Sequence, residues 1–142
     1  ETARKGLMEY NITLQDRQEE YPRELLKKGI TEAKRIRKYY FGNYYPLTPA
    51  SASPQDWCIM QYHRPAEQDG MIVAFRRHES PAASFPCTLF EIDPQARYEI
   101  TNYVTYDPSE PVVITGKEFQ NSALTIEECP GSLIIEYKKV NP

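Results

Sequence analysis

The chain has 142 residues, 17 Lys and Arg against 20 Asp and Glu, and a formal net charge of −3. That balance excludes a protein drawn to nucleic acid or anionic lipid by overall charge, and no apolar run approaches the roughly 20 residues of a membrane span. A chain of this size forms one domain that buries roughly two thirds of its extended surface.

The first residues, Glu1-Thr2-Ala3-Arg4, carry no methionine and no signal-peptide pattern, and the chain reads as a piece of a longer polypeptide. Residues 15 to 40 predict a helix. Leu26, Ile30, Ala33, Ile36 and Tyr40 line one face, which is the spacing of an amphipathic helix. Asp16 and Glu19 resemble a capping pair, while Pro22 favours a start near Tyr21. Gly42 supplies a C-terminal stop, so the helix is expected over about 21–41. Its basic residues, Lys27, Lys28, Lys34, Arg35, Arg37 and Lys38, read as a solvated face. A nucleic-acid surface with Tyr39 and Tyr40 as stacking platforms is the weaker reading, because no recognised motif accompanies it.

After an Ala/Ser/Pro loop over residues 50–55, strands are expected at Trp57–His63, Met71–Arg77, Cys87–Ile92, Arg97–Tyr103, Val112–Thr115, Ala123–Glu127 and Ser132–Lys139. The first two form a hairpin around Pro65-Ala66-Glu67-Gln68-Asp69-Gly70. Asp93-Pro94, Asp107-Pro108 and Pro130-Gly131 punctuate the rest. Short strands with such turns predict an antiparallel β-sandwich or barrel. The fold class expected is therefore mainly β, an antiparallel β-sandwich preceded by one amphipathic helix. In the last strand Leu133, Ile135 and Tyr137 alternate with Ile134, Glu136 and Lys138 across the two faces.

The usual catalytic signatures are absent: no glycine-rich phosphate loop, no Gly-x-Ser-x-Gly, no His-Glu-x-x-His. His63 and His78 end the two hairpin strands and could meet with Cys58 or Glu79 around a metal. The spacing fits no ligand set, and neither metal nor cofactor is expected. Cys58 and Cys87 read as buried small hydrophobes, and a single disulfide among Cys58, Cys87 and Cys129 is left open. Asp56 beside Trp57 is the nearest candidate for a glycosidase carboxyl, and a turn residue is the stronger reading. Trp57, Tyr62, Phe75, Tyr98, Tyr103 and Tyr106 could stack on sugar, although such residues more often form core or interface. Arg76 and Arg77 could hold an anion or anchor a loop.

Arg37-Lys38-Tyr39-Tyr40-Phe41-Gly42-Asn43-Tyr44-Tyr45-Pro46-Leu47-Thr48 resembles the junction before the C-terminal domain of glycoside hydrolase family 36 α-galactosidases. Trp57, Gln61, Tyr62 and Gly70 to Phe75-Arg76-Arg77 look like that domain's first hairpin. Leu89-Phe90-Glu91-Ile92-Asp93-Pro94-Gln95-Ala96-Arg97-Tyr98, Gly116-Lys117-Glu118-Phe119 and Ser132-Leu133-Ile134-Ile135-Glu136-Tyr137 continue the likeness in order, over about residues 20 to 139. Asn43 replaces an expected aspartate. Phe119 and Ala123-Leu124 stand where the family pattern often has leucine, methionine and glycine.

The resemblance implies the end of a catalytic (β/α)8 barrel in residues 1–48 and a C-terminal antiparallel β-sandwich in 49–142. The catalytic aspartates of such enzymes lie on barrel strands outside this sequence, so it implies no catalytic residue here. The implied role is a non-catalytic accessory domain that packs on and stabilises the barrel, with the Leu26–Tyr40 stripe as a packing face. An apolar patch at that stripe or at Tyr39–Tyr45 is expected to be left exposed. The alternatives are a carbohydrate-binding module for α-galactosides, with Trp57, Tyr62 and Arg76 as binding residues, or an unrelated protein-interaction sandwich. The implied partner is the barrel, with self-association left open and neither nucleic acid nor membrane expected.

Overall fold

The computed structural model describes residues 22–140; the expected capping pair Asp16 and Glu19 lies outside them. The chain divides into two compact units, 1–38 and 39–142.

In the first unit, α1 runs Arg23–Ile36. Pro22 occupies its N-cap position, where a missing N–H costs nothing. Glu24 sits in the first turn and Lys34 and Arg35 in the last, each sign matching the helix dipole. Lys27 pairs with Glu24 at 2.8 Å. The fully buried positions are Gly29, Glu32 and Ile36, whereas Leu26, Ile30 and Ala33 are half-buried. The buried line is thus rotated from the expected stripe and includes a carboxylate, with Arg35 3.7 Å from it. A tighter 3-10 turn over Arg37–Phe41 continues from the helix into the second unit.

The second unit is built on a six-stranded antiparallel sheet. Its strands are β1 (Asn43–Pro46), β2 (Cys58–Arg64), β3 (Asp69–Arg76), β5 (Arg97–Tyr103), β6 (Val112–Thr115) and β8 (Gly131–Val140), in spatial order β1-β2-β3-β8-β5-β6. A second layer pairs β4 (Ser84–Pro86) with β7 (Ala123–Thr125). Between β6 and β7 lies the short helix α2 (Gly116–Gln120). The mainly β, antiparallel sandwich read from the sequence is the fold observed.

The core lies between these layers. From the large sheet come Ile59, Ile72, Ala74, Leu133, Ile135, Tyr137, Tyr98 and Ile100; the facing layer supplies Cys87, Leu89, Ile92, Phe119, Leu124 and Ile126. The alternation expected in β8 holds, with Leu133, Ile135 and Tyr137 in this core. Met71, Val73 and Ile134, on the opposite face, are buried as well. Apolar residues on successive positions of β3 are what a strand buried on both faces requires.

Both edges of the large sheet are blunted. Leu47 N–H donates to Ile59 O at 2.9 Å, so alternation along β1 turns Tyr44 and Pro46 outward, and Pro46 has no N–H to offer. At the other edge Gly116 N–H bonds inward to Ala96 O, which turns Val113 and Thr115 outward. The Thr115 N–H is already taken by Glu118.

Three expectations change. Cys87–Ile92 is not a strand; β4 ends at Pro86, and Glu91 has φ 57°, a left-handed value that interrupts extended backbone. The helix expected to 41 tightens after Ile36, and β1 forms from residues read as junction. The helix α2 went unread, although Thr115 and Glu118 form a complete capping box.

Candidate functional site

A concentrated polar cluster in the second unit begins in β2. Gln61 and His63 share the core face of that strand with Ile59, and both are essentially buried, at 0% and 1% exposure. Polar groups so placed need partners. Gln61 donates through Nε2 to Phe90 O and to the Tyr137 hydroxyl, both at 2.9 Å, and its Oε1 accepts Phe90 N–H at 2.8 Å. A side-chain amide thus pairs with the Phe90 backbone as a neighbouring strand would.

Tyr137, on β8, then lies 3.0 Å from His63 Nδ1. On the far side of the imidazole, Nε2 faces Glu91 Oε2 at 3.4 Å. Glu91 Oε1 accepts from Asn43 Nδ2 at 2.8 Å and from the Tyr45 hydroxyl at 2.7 Å. The chain Gln61–Tyr137–His63–Glu91 therefore links β2 and β8 to the turn after Phe90 and ends on a residue with positive φ.

The electrostatics follow from this placement. Burial lowers the pKa of His63 from its ordinary value, against the opposing charges of Glu91 and Asp69. The Tyr45 hydrogen bond lowers that of Glu91, with Asn43 and His63 contributing. Burial raises Tyr137 well above the ordinary phenol value. Neutral imidazole between phenol and carboxylate is the arrangement these directions describe.

Beside the cluster, Tyr45 stacks on Phe90 with ring centroids 4.6 Å apart and 11° between planes. Phe90 keeps 49% of its surface exposed and borders an open cleft of about 550 Å³ that Pro46, Pro86, Thr88 and Asn121 also line.

The residues singled out by sequence do not converge. Trp57 is 3% exposed, donates its indole N–H to Ala82 O and packs on Phe85. Tyr62 points to the other face of the sheet. There it meets Tyr40 edge-on at 4.9 Å and Tyr44 at 5.2 Å, and burial pushes its hydroxyl up to about 12. Arg76 is buried and donates to the carbonyls of Ile126, Glu127 and Ser80, which makes it a loop anchor. Arg77 donates to Ser53 O.

His63 and His78 do not meet. His63 pairs with Gly70 near the hairpin turn, and Cys58 pairs with Phe75 at the other end, beyond which His78 lies. Among the described residues no group of three or more His, Cys, Asp or Glu is placed to hold a metal ion. All three cysteines are free, and burial raises the Cys87 thiol to about 11. Asp56 accepts the Ser51 hydroxyl at 2.6 Å, consistent with a turn residue. No helix among the described residues is long and apolar enough to cross a membrane.

Sequence reasoning missed Gln61, Tyr137 and Glu91 as one unit. The legible signal was a glutamine and a histidine two apart on the apolar face of a strand, where each needs a partner.

An antiparallel sandwich with a buried polar spine and no metal cluster among the described residues is the class defined by fold and site. Its fold corresponds to part of a known enzyme. The crystal structure of the family 36 α-galactosidase AgaB from Geobacillus stearothermophilus matches 88% of this chain at TM-score 0.62 and 19% identity. The matched region is 17% of that chain, so this chain spans about a sixth of the enzyme's length. No protein-family model matches the sequence, and no curated protein matches it.

Proposed function

We infer that this chain is a non-catalytic accessory domain of an α-galactosidase-like glycoside hydrolase, where it packs against and stabilises a catalytic barrel. The observation that carries this reading is the correspondence of 88% of the chain with a small part of an α-galactosidase.

In the Tyr39–Tyr45 segment, Phe41 is 91% exposed and Tyr44 52%, while Tyr39 is buried. Exposed rings on a folded segment suit a contact with another protein body.

Incubation of the purified chain with p-nitrophenyl α-galactoside and with raffinose tests the reading. No release of nitrophenol or galactose is expected, and turnover that tracks the folded chain would overturn it. Carbohydrate binding without hydrolysis is a second reading, favoured by the exposed Phe90 ring at an uncharged cleft.

A further inference from the structure

Phe90 is held more firmly than an exposed side chain needs. Its N–H and C=O are both bonded by the buried Gln61 amide. Tyr45 covers one side of its ring at 4.6 Å. The next residue, Glu91, has φ 57° and is pinned by Asn43 and Tyr45 with His63 behind it. A left-handed backbone at a residue with a long side chain is unfavourable and persists where surrounding contacts impose it. The turn both closes the core, through buried Leu89 and Ile92, and presents one aromatic ring half open to solvent.

What borders that ring has a definite chemistry. Pro46 and Pro86 add flat apolar surface to the cleft, and Thr88 and Asn121 add a hydroxyl and an amide. Thr88 Oγ1 donates to Asn121 Oδ1 at 3.3 Å, which leaves the Asn121 Nδ2 donors directed elsewhere. No charged side chain lines the cleft, so nothing there selects an anion or a cation. A rigid aromatic wall, neutral donors and acceptors at its rim and a shallow opening match a ligand with an apolar face and a hydroxylated edge. A pyranose ring has that shape. The volume of about 550 Å³ suits one or two sugar units.

We propose that the cleft between Phe90 and Asn121 binds a neutral hexopyranose unit of an oligosaccharide, with the Phe90 ring as stacking platform and Asn121 and Thr88 as hydroxyl partners. Gln61, Tyr45 and Glu91 are positioning residues that hold the ring in place. The proposal rests on the carbohydrate-binding reading and not on the barrel: hydrolysis by the chain would end the accessory-domain reading and leave this one untouched.

Titration of the full chain with raffinose and with cellotriose, followed by calorimetry and by amide chemical shifts, tests it. Saturable binding of at least one, with Kd on the order of 1 mM, is expected. Phe90→Leu, which keeps an apolar side chain at the turn but removes the ring, should weaken it at least about tenfold, and Asn121→Ala several-fold. Phe41→Ala, at an exposed ring away from the cleft, should leave it unchanged. No saturable binding of either sugar would overturn the proposal. So would binding that a folded Phe90→Leu variant retains at full strength, since the sugar would then sit elsewhere.

Discussion

The hydroxyl of Tyr137 lies 3.0 Å from His63 Nδ1, and this contact decides which imidazole nitrogen carries the proton. Gln61 already donates to the Tyr137 oxygen, so the phenol hydrogen is free to point at Nδ1. That assignment leaves Nε2 protonated and facing the Glu91 carboxylate at 3.4 Å, with every member of the chain supplied. Removing the hydroxyl orphans two buried groups, Nδ1 and one Gln61 N–H. Tyr137→Phe should lower the unfolding free energy by about 1–3 kcal/mol, as read by urea denaturation. A neutral result would show that the spine is not a source of stability.

The same spine gives stability an acid limb. Burial depresses the folded-state pKa of His63, and hydrogen bonding depresses that of Glu91. A histidine depressed in this way contributes stability that is present above its unfolded value, about 6.5, and lost as pH falls through its folded value. The contribution of Glu91 is present above about 4.3 and is lost on further acidification. Unfolding free energy should be level from about pH 8 to 7 and fall below that, and His63→Gln should flatten the first part of the fall. A rise in stability between pH 7 and 5 would contradict this.

Gly70 makes room for the spine. A Cβ at Gly70 would occupy the space of the Tyr137 hydroxyl and the Tyr62 carbonyl. Gly70→Ala should therefore cost about 1–3 kcal/mol through overpacking. Combined with Tyr137→Phe it should cost close to the sum, because the Tyr62 carbonyl and the Cζ of the residue 137 ring still occupy the space of the added Cβ. A cost well below the sum in thermal or urea unfolding would show that the hydroxyl alone is the obstacle.

The short helix α2 rests on its cap. Thr115 Oγ1 accepts Glu118 N–H at 3.2 Å, and Glu118 Oε2 accepts Thr115 N–H at 3.1 Å. Thr115→Ala should cost about 1 kcal/mol. Faster amide exchange at Lys117 to Phe119 would locate the loss, and unchanged exchange there would argue against the cap.

Much of this architecture is written in local sequence. The period-two pattern of β8, the Pro/Gly turns and the hairpin around Pro65 to Gly70 are short-range signals, and the structure follows them. Residues 87–92 look like a strand because Cys87, Leu89 and Ile92 are apolar. The left-handed Glu91 depends on Asn43 and Tyr45, 46 to 48 residues away in the chain, and no local pattern reports it. For Trp57 and Arg76 the sequence left burial and an exposed binding role side by side, since the choice depends on how the two layers close. Phe90 escaped notice for the converse reason. Its exposure comes from a glutamine 29 residues earlier that holds its backbone.

The most direct measurement is to purify the native polypeptide containing the Trp57–Arg77 segment, determine its intact mass and assay it on p-nitrophenyl α-galactoside. The account predicts a polypeptide longer than these 142 residues, with α-galactosidase activity that co-purifies with the segment. A native polypeptide that carries the segment in folded form and lacks that activity would contradict it.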